Sequence, residues 1–405
     1  MRPFEPFHAF RVFPDLSAQR ARLFEILEER TTPFFLLDPG ILTDRTIAMR
    51  DLLQRRWGHS TIAYAFKANY QVAQLALPRQ LGIRAEVVSG REYAMARQMG
   101  YPGEEIVFNG PNKSDAELHQ ALIDGALLHV NGAAELERLT HVASSLGGSF
   151  EIGIRVSTSL PRLAHSRFGF SLDHGEADAA VRRIRECPAL ELTALHFHGL
   201  GDTTDPECYR LASRKLAAFA QKSIPDYRDR LRSLDLGGGF PAHGLKPRHR
   251  DAESWDPMPI EAYVNAIAEE LEAAFPGPSR PTLILEPGRY LVNDAILLVC
   301  QVIEVPERTR TTAQPVLSNA SITMVPLTHY SPQIIQAWSP ELEPRVGDDV
   351  ETILYGASCR EDDVLHEGRL PNVRVGDFLV YYAVGAYNAN LSPDFIFETP
   401  PLVVL

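Results

Sequence analysis

The stretch "TIAYAFKAN" at residues 61–69 decides how the rest of the chain is read. Tyr64, Phe66 and Ala68 alternate with Ala65, Lys67 and Asn69, and the apolar run predicts a largely buried strand. Lysine is among the residues least often buried without a partner, so Lys67 at the end of this strand needs a chemical reason. Working outward, seven further β-like runs follow: "RAEVVS" (84–89), "EIVFNG" (105–110), "LLHVNG" (127–132), "EIGIRV" (151–156), "LTALHFH" (192–198), "SLDLGG" (233–238) and "TLILEPG" (282–288). Segments with helical periodicity lie between them, among them "GREYAMARQMG", "SDAELHQALIDG" and "IEAYVNAIAEELEAAF". Ser114 followed by Glu117 is a capping-box signature that opens one of these helices. Strands alternating with helices imply βαβ units, and eight such units close a (β/α)8 barrel. An open doubly wound sheet also accommodates eight strands, but it leaves unexplained the polar and Gly-rich residues that end nearly every run.

The flanks depart from this rhythm. "TPFFLLDPG" (32–40) precedes the first barrel strand, and "RYLVNDAILLVCQVIEV", "DDVETILYG", "GDFLVYYAVGAY" and "FIFETPPLVVL" follow the last. These segments are β-rich, broken by Pro, Gly and Asp turns, without helices between them. The predicted architecture is α/β: a TIM barrel over residues 41–287 and an all-β C-terminal domain over 288–405, which the N-terminal segment 1–40 joins through one strand. The polar, Pro-rich segment 241–259 is expected to be a long barrel loop, functional or partly mobile.

Composition narrows the partners. Of 405 residues, 45% are hydrophobic and 23% charged, a globular balance with room for two domains. A net charge of −12 with no Lys/Arg block disfavours nucleic acid. No leader-like apolar region opens the chain and no run of 18 apolar residues occurs, so secretion and membrane insertion are not expected. Cys187, Cys208, Cys300 and Cys359 are far apart with no CxxC pair, which argues against a disulfide scaffold or zinc ribbon. A soluble, cytoplasmic enzyme is the expectation.

Barrel chemistry sits at the C-terminal ends of the strands, and the unusual residues fall there: Lys67, Glu86, Asn109, Arg155, His196, His198, Gly237, Gly238, Gly239, Glu286, Gly288 and Arg289. Each has a bland reading. A single strand-end lysine often snorkels to water, a "GGG" is often a tight turn and no GxGxxG, and "HFH" places two imidazoles on one strand face as a metal pair or as one core and one site histidine. Strands seven and eight, however, supply Gly and Glu-Pro-Gly-Arg rather than further metal ligands, so no metal is expected. At the end of strand seven, glycines let backbone N–H groups approach a phosphate. Together the set describes one ligand, pyridoxal phosphate: an amine for an imine, a phosphate cradle, an acid for a protonated ring nitrogen and an imidazole for a ring face. On this reading Lys67 is tolerated inside because it is held as an imine instead of a free ammonium.

From "TPFFLLD" to the C-terminus the chain resembles the fold-type III (alanine racemase-like) pyridoxal-phosphate decarboxylases, the family of diaminopimelate, ornithine, arginine and carboxynorspermidine decarboxylases. Its motifs occur in the family's order. "YAFKAN" resembles the lysine motif and implies that Lys67 is the Schiff-base residue. "EVVSGREY" implies that Glu86 lies near the cofactor ring, and "HFHGLGD" that His198 stacks on it. "LDLGGGFP" resembles the phosphate-binding glycines, and "EPGRYLV" the segment that sets Glu286 on the ring nitrogen with Gly288 and Arg289 nearby. "SCREDD" implies that Cys359 is a proton donor brought from a partner subunit, and "GAY" places Tyr387 near the phosphate. Arg155 joins the cofactor-binding set, with Lys67, Cys359 and His198 as the catalytic residues. The resemblance implies decarboxylation of an amino acid by a homodimer with shared active sites.

Departures from the family concern the substrate. Where diaminopimelate and ornithine enzymes carry Glu or Asp after the cysteine, this chain has Arg360, which suits a carboxylate and repels an ammonium unless Glu361 or Asp362 takes over. In "ASITMVPLTHY" Val325 precedes Pro326 where an Arg-Pro pair is frequent, and Leu200 and Asp202 are closer to the carboxynorspermidine branch. Arg289, Tyr330, Arg360 and Glu361 form the expected substrate-binding set. The expected substrate is an amino acid enlarged by an anionic acyl group, such as a citryl-diaminopropionate intermediate of siderophore biosynthesis. Its alternatives are diaminopimelate or carboxynorspermidine. The rival classes are a racemase, against which Glu286 argues, a non-catalytic decarboxylase-like binding protein, and a metallohydrolase.

Overall fold

The computed structural model describes residues 13–161, 166–224, 226–243, 257–307, 312–329, 333–347 and 349–405. All eight predicted barrel strands are present: Ser60–Ala65, Arg84–Val87, Ile106–Phe108, Leu127–Val130, Phe150–Ser157, Leu190–Phe197, Ser233–Asp235 and Thr282–Leu285. They pair in parallel in chain order, and Thr282–Leu285 returns to pair with Ser60–Ala65 through Leu283 opposite Ser60 and Leu285 opposite Ile62. That last pairing closes the barrel and turns all eight strand ends toward one mouth.

The connecting helices form where the sequence signals placed them. Ser114 Oγ accepts from the Glu117 N–H at 3.3 Å, and Glu117 returns a carboxylate to the Ser114 N–H at 2.7 Å, completing the capping box. Helix Pro39–Arg56 begins with Asp38 accepting from the Gly40 N–H at 2.9 Å and proline at its first position.

A second sheet runs Ile334–Trp338, Phe378–Tyr382, Ile296–Glu304, Gln314–Ser318, Asp349–Tyr355, Val364–Pro371. The N-terminal strand Phe34–Leu37 joins it, antiparallel to Ile296–Glu304 and parallel to Leu402–Val404. Its four residues are all buried because the sheet is covered on both faces. Phe35 and Leu37 pack with Leu298, Cys300 and Tyr381, and Phe34 and Leu36 with Leu297, Val299 and the helix residues Leu23 and Ile26. Two details differ from the sequence reading. Arg289–Val292 is a helical turn where a strand was expected, and of "FIFETPPLVVL" only Leu402–Val404 forms a strand. Most of the 241–259 loop lies outside the described residues. Among the described residues, no helix is long and apolar enough to cross a membrane.

Candidate active site

The first barrel strand ends in a single 3-10 turn, Phe66–Ala68, that carries Lys67. Its ammonium forms an ion pair with Glu86 of the second strand, a side chain with 1% exposure. Burial alone would make the amine easier to deprotonate, but Glu86, Glu286 and Tyr387 outweigh it and raise the lysine above its ordinary value. In the chain itself Lys67 is a paired cation beside two buried acids.

Glu86 also accepts from Asn109, which follows the third strand. The Asn109 amide donates to Glu86 Oε1 at 3.2 Å and to Glu286 Oε1 at 2.5 Å. Glu286 follows the eighth strand with 1% exposure, and among the described residues its Oε2 has no hydrogen-bond partner. Burial acts to raise this carboxyl, but the imidazoles of His196 and His198 and the Lys67 charge hold it well below the usual range. Charge therefore sits on Glu286, while Asp235 on the seventh strand is pushed well above its ordinary value by burial and by Glu286.

The two histidines of "HFH" differ in exposure. His196 is buried on the sixth strand, and burial lowers it to about 4. His198 is a quarter exposed, and its Nδ1 accepts from the Gly238 N–H at 2.9 Å. That donated bond makes Nδ1 an acceptor, so its 3.5 Å approach to Glu286 Oε2 is not a hydrogen bond from this nitrogen. His196, His198 and Glu286 each offer an atom within 4.8 Å of the others, a grouping with the spacing of a metal site. The Gly238 N–H already occupies His198 Nδ1 within it.

The glycines after strand seven are required by close packing. A Cβ on Gly238 would lie 2.2 Å from the Glu286 carbonyl, and one on Gly239, at φ +87°, 2.1 Å from the Leu200 carbonyl. The loops after strands six, seven and eight thus touch through their backbones. Arg155, on the fifth strand, donates to the His198 carbonyl at 2.6 Å and so braces the histidine loop. Arg289 lies over the Tyr387 ring at 4.8 Å and pairs with Asp202 at 2.8 Å, and among the described residues its buried Nη1 has no partner. Gly288 leaves room for Ala65 and Ala68 beside the lysine turn. The β domain reaches the same turn: the Tyr387 N–H donates to the Ala68 carbonyl at 2.6 Å and Asn390 to the Lys67 carbonyl at 3.1 Å.

The Cys359–Asp362 turn is not brought into this cluster. Cys359, Arg360 and Glu361 are exposed, and among the described residues no hydrogen bond, ion pair or ring contact joins them to the Lys67 network. Arg360 instead forks onto Asp362 at 2.9 and 2.6 Å. Tyr330 lies outside the described residues. Sequence reasoning missed His129 and Asp235 and gave Asn109 no role. The signal was present, since each stands in or just beyond a barrel strand, where alternation turns every second side chain inward.

The site fits pyridoxal phosphate. Among the described residues, a buried carboxylate oxygen on Glu286 lacks a donor and a buried guanidinium nitrogen on Arg289 lacks an acceptor, and the Lys67 amine pairs with Glu86 in the same network. The sequence pattern described as pyridoxal-dependent decarboxylase, pyridoxal binding domain, matches residues 42–293. The chain is 28% identical over 403 residues to the diaminopimelate decarboxylase of Bacillus subtilis (strain 168), covering 94% of this chain and 87% of that one. The crystal structure of diaminopimelate decarboxylase from Helicobacter pylori complexed with L-lysine superimposes with a TM-score of 0.82 at 25% identity, covering 95% of this chain and 94% of that one. The lysine/ornithine decarboxylase of Vibrio vulnificus, complexed with cadaverine, shares the fold at a TM-score of 0.78 and 23% identity, covering 97% and 98% of the two chains.

Proposed function

Because this chain belongs to the pyridoxal-dependent decarboxylase family and is a pyridoxal-phosphate carboxy-lyase of amino acids, we propose that its substrate is an amino acid enlarged by an anionic acyl group, of the citryl-diaminopropionate type used in siderophore biosynthesis. The convergence of Lys67, Glu86, Asn109, Glu286 and His198 on one buried network carries the assignment of the site.

When bound, pyridoxal phosphate supplies a ring that accepts the electron pair released with carbon dioxide. Lys67 presents the amine that would hold the cofactor at its aldehyde carbon, the aldehyde oxygen leaving as water. Glu86, whose carboxyl burial raises and Lys67 opposes, takes the proton that this amine loses before it acts as a nucleophile. Glu286 would offer Oε2 to a proton on the ring nitrogen, where its charge favours the protonated form. His198 would lay its imidazole against the ring, with Arg155 bracing its loop. The Gly237–Gly239 turn, Gly288, Arg289 and Tyr387 line the phosphate end. Cys359 comes from a second copy of the chain as the proton donor to carbon, which makes the working unit a cytoplasmic homodimer with two shared sites.

The substrate assignment rests on Arg360. Asp362 holds its Nε and Nη2, and among the described residues Nη1 has no partner, leaving one guanidinium edge for a substrate carboxylate. Glu361 favours a second reading, diaminopimelate: it is exposed beside Arg360 without an ion-pair partner among the described residues, and the two together match a distal group bearing both charges.

Two measurements test this. Borohydride reduction of the cofactor-loaded protein followed by peptide mapping should place a phosphopyridoxyl group on Lys67, and an unmodified Lys67 after incubation with excess cofactor would remove the site assignment. Arg360→Glu should lower kcat/KM for an acidic-side-chain substrate about tenfold or more, as expected for one lost charge-assisted contact, while a diamine loses less. Equal losses on both would sink the anionic-substrate reading.

A further inference from the structure

Behind Glu286 stand two side chains with no part in the chemistry above, Asn109 and His129. The Asn109 amide nitrogen spends both its hydrogens, on Glu86 Oε1 at 3.2 Å and Glu286 Oε1 at 2.5 Å, and its oxygen faces His129 Nδ1 at 2.7 Å. A flipped amide would set that oxygen against two carboxylate oxygens, so the neighbours themselves fix the orientation. With Asn109 Oδ1 as acceptor, His129 must carry its proton on Nδ1. Burial and then the adjacent His196 push His129 well below its ordinary value, so the ring is neutral and only this tautomer serves. Its Nε2 is buried with no partner among the described residues.

The ring is held in place by shape. It stacks on His196 with centroids 4.8 Å apart and planes 25° apart. Toward strand five it lies against Gly153, where a Cβ would come within 2.2 Å of His129 Cδ2. A glycine inside a strand is unfavourable without such a reason. Lys67, Glu86, Arg155, Asp235, His196 and His198 all act on the acids of this cluster, and Asn109 donates a hydrogen bond to Glu286 Oε1.

We propose that Asn109 and His129 form a positioning relay, seated by Gly153 and the His196 stack, that holds Glu286 by Oε1 and so keeps Oε2 charged and available to the ring nitrogen of the cofactor. The relay rests on the reading of Glu286 given above. A hydrogen bond to the charged form of an acid favours that form, so losing the Asn109 donor makes Glu286 more basic and draws the ring-nitrogen proton onto Oε2.

The test is the nitrogen-15 chemical shift of ring-labelled pyridoxal phosphate in the holoenzyme, measured by solid-state NMR alongside kcat and KM. Wild type should show a protonated ring nitrogen, and Glu286→Gln a deprotonated one. His129→Phe keeps a ring on His196 but lacks the Nδ1 proton. It should move the shift part of the way toward the deprotonated value and lower kcat about tenfold with KM little changed. Gly153→Ala, which evicts the ring, should do the same if it folds. If Glu286→Gln moves the shift while His129→Phe and Asn109→Ala leave it at the wild-type value, the relay is wrong and the Glu286 reading stands. If Glu286→Gln leaves the shift unchanged, the Glu286 reading fails and the relay falls with it.

Discussion

Glu92 shows what burial does to an acid with no ion-pair partner among the described residues. It is 6% exposed in the first turn of helix Gly90–Gln98, and its carboxylate accepts from the Val88 N–H at 2.8 Å. Burial pushes it up to about 7, against the pull of that N–H. The sign follows from proton counting: between 4.5 and 7 the folded chain binds more protons at this site than the unfolded chain, so stability falls as pH rises through that window. The full effect is roughly 3 kcal/mol, since each tenfold change in proton affinity is worth about 1.4 kcal/mol. The stability of Glu92→Gln relative to wild type should therefore rise by about that amount from pH 4.5 to pH 7 in urea titrations, and a pH-independent difference would contradict it. Lys113 is the contrasting case. Although fully buried, it has Glu135 at 2.6 Å and the carbonyls of Gly110 and His129 at 2.7 and 3.1 Å, so it stays satisfied. The sequence showed neither outcome, because a charge's cost depends on neighbours far along the chain.

At the scale of elements, the mouth is made by loops that pack backbone to backbone. A side chain at Gly238 would have to displace the Glu286 carbonyl, whereas one at Gly132 meets nothing within 4 Å. Gly238→Ala should thus destabilise the protein by about 1–3 kcal/mol, the usual range for overpacking, and weaken cofactor binding, read by titration of the bound chromophore. Gly132→Ala caps helix Ala133–Leu146 less well and should cost at most about 1 kcal/mol, with no change in cofactor affinity. Equal effects would show that the turn tolerates a Cβ. The "GGG" run was legible as a turn at the end of strand seven. Which backbones it meets was not, since His198, Leu200 and Glu286 reach it only once the barrel closes.

For the whole molecule, the β domain grips the lysine turn through Tyr387 and Asn390 while its Cys359 turn faces solvent. If a second copy supplies Cys359, mixing inactive Lys67→Ala with inactive Cys359→Ala should restore about one quarter of wild-type activity. Random pairing makes half the dimers mixed, and each mixed dimer has one of its two sites intact. No recovery, with subunit exchange verified, would place the proton donor within the same chain. The barrel itself needed no partner and little context to be recognised. Strand and helix periodicities are local, and parallel strands linked by helices close in chain order. Lys67, Glu86, His198 and Glu286 were visible as polar interruptions where apolar residues belong. Only the tertiary structure decided that Asn109 joins Glu86 to an acid 177 residues further on, that His129 stands behind them, and that Arg360 is already held by Asp362. The physical reason is that a local pattern selects which residues turn inward, whereas hydrogen bonds and charge states depend on which inward residues closure brings together.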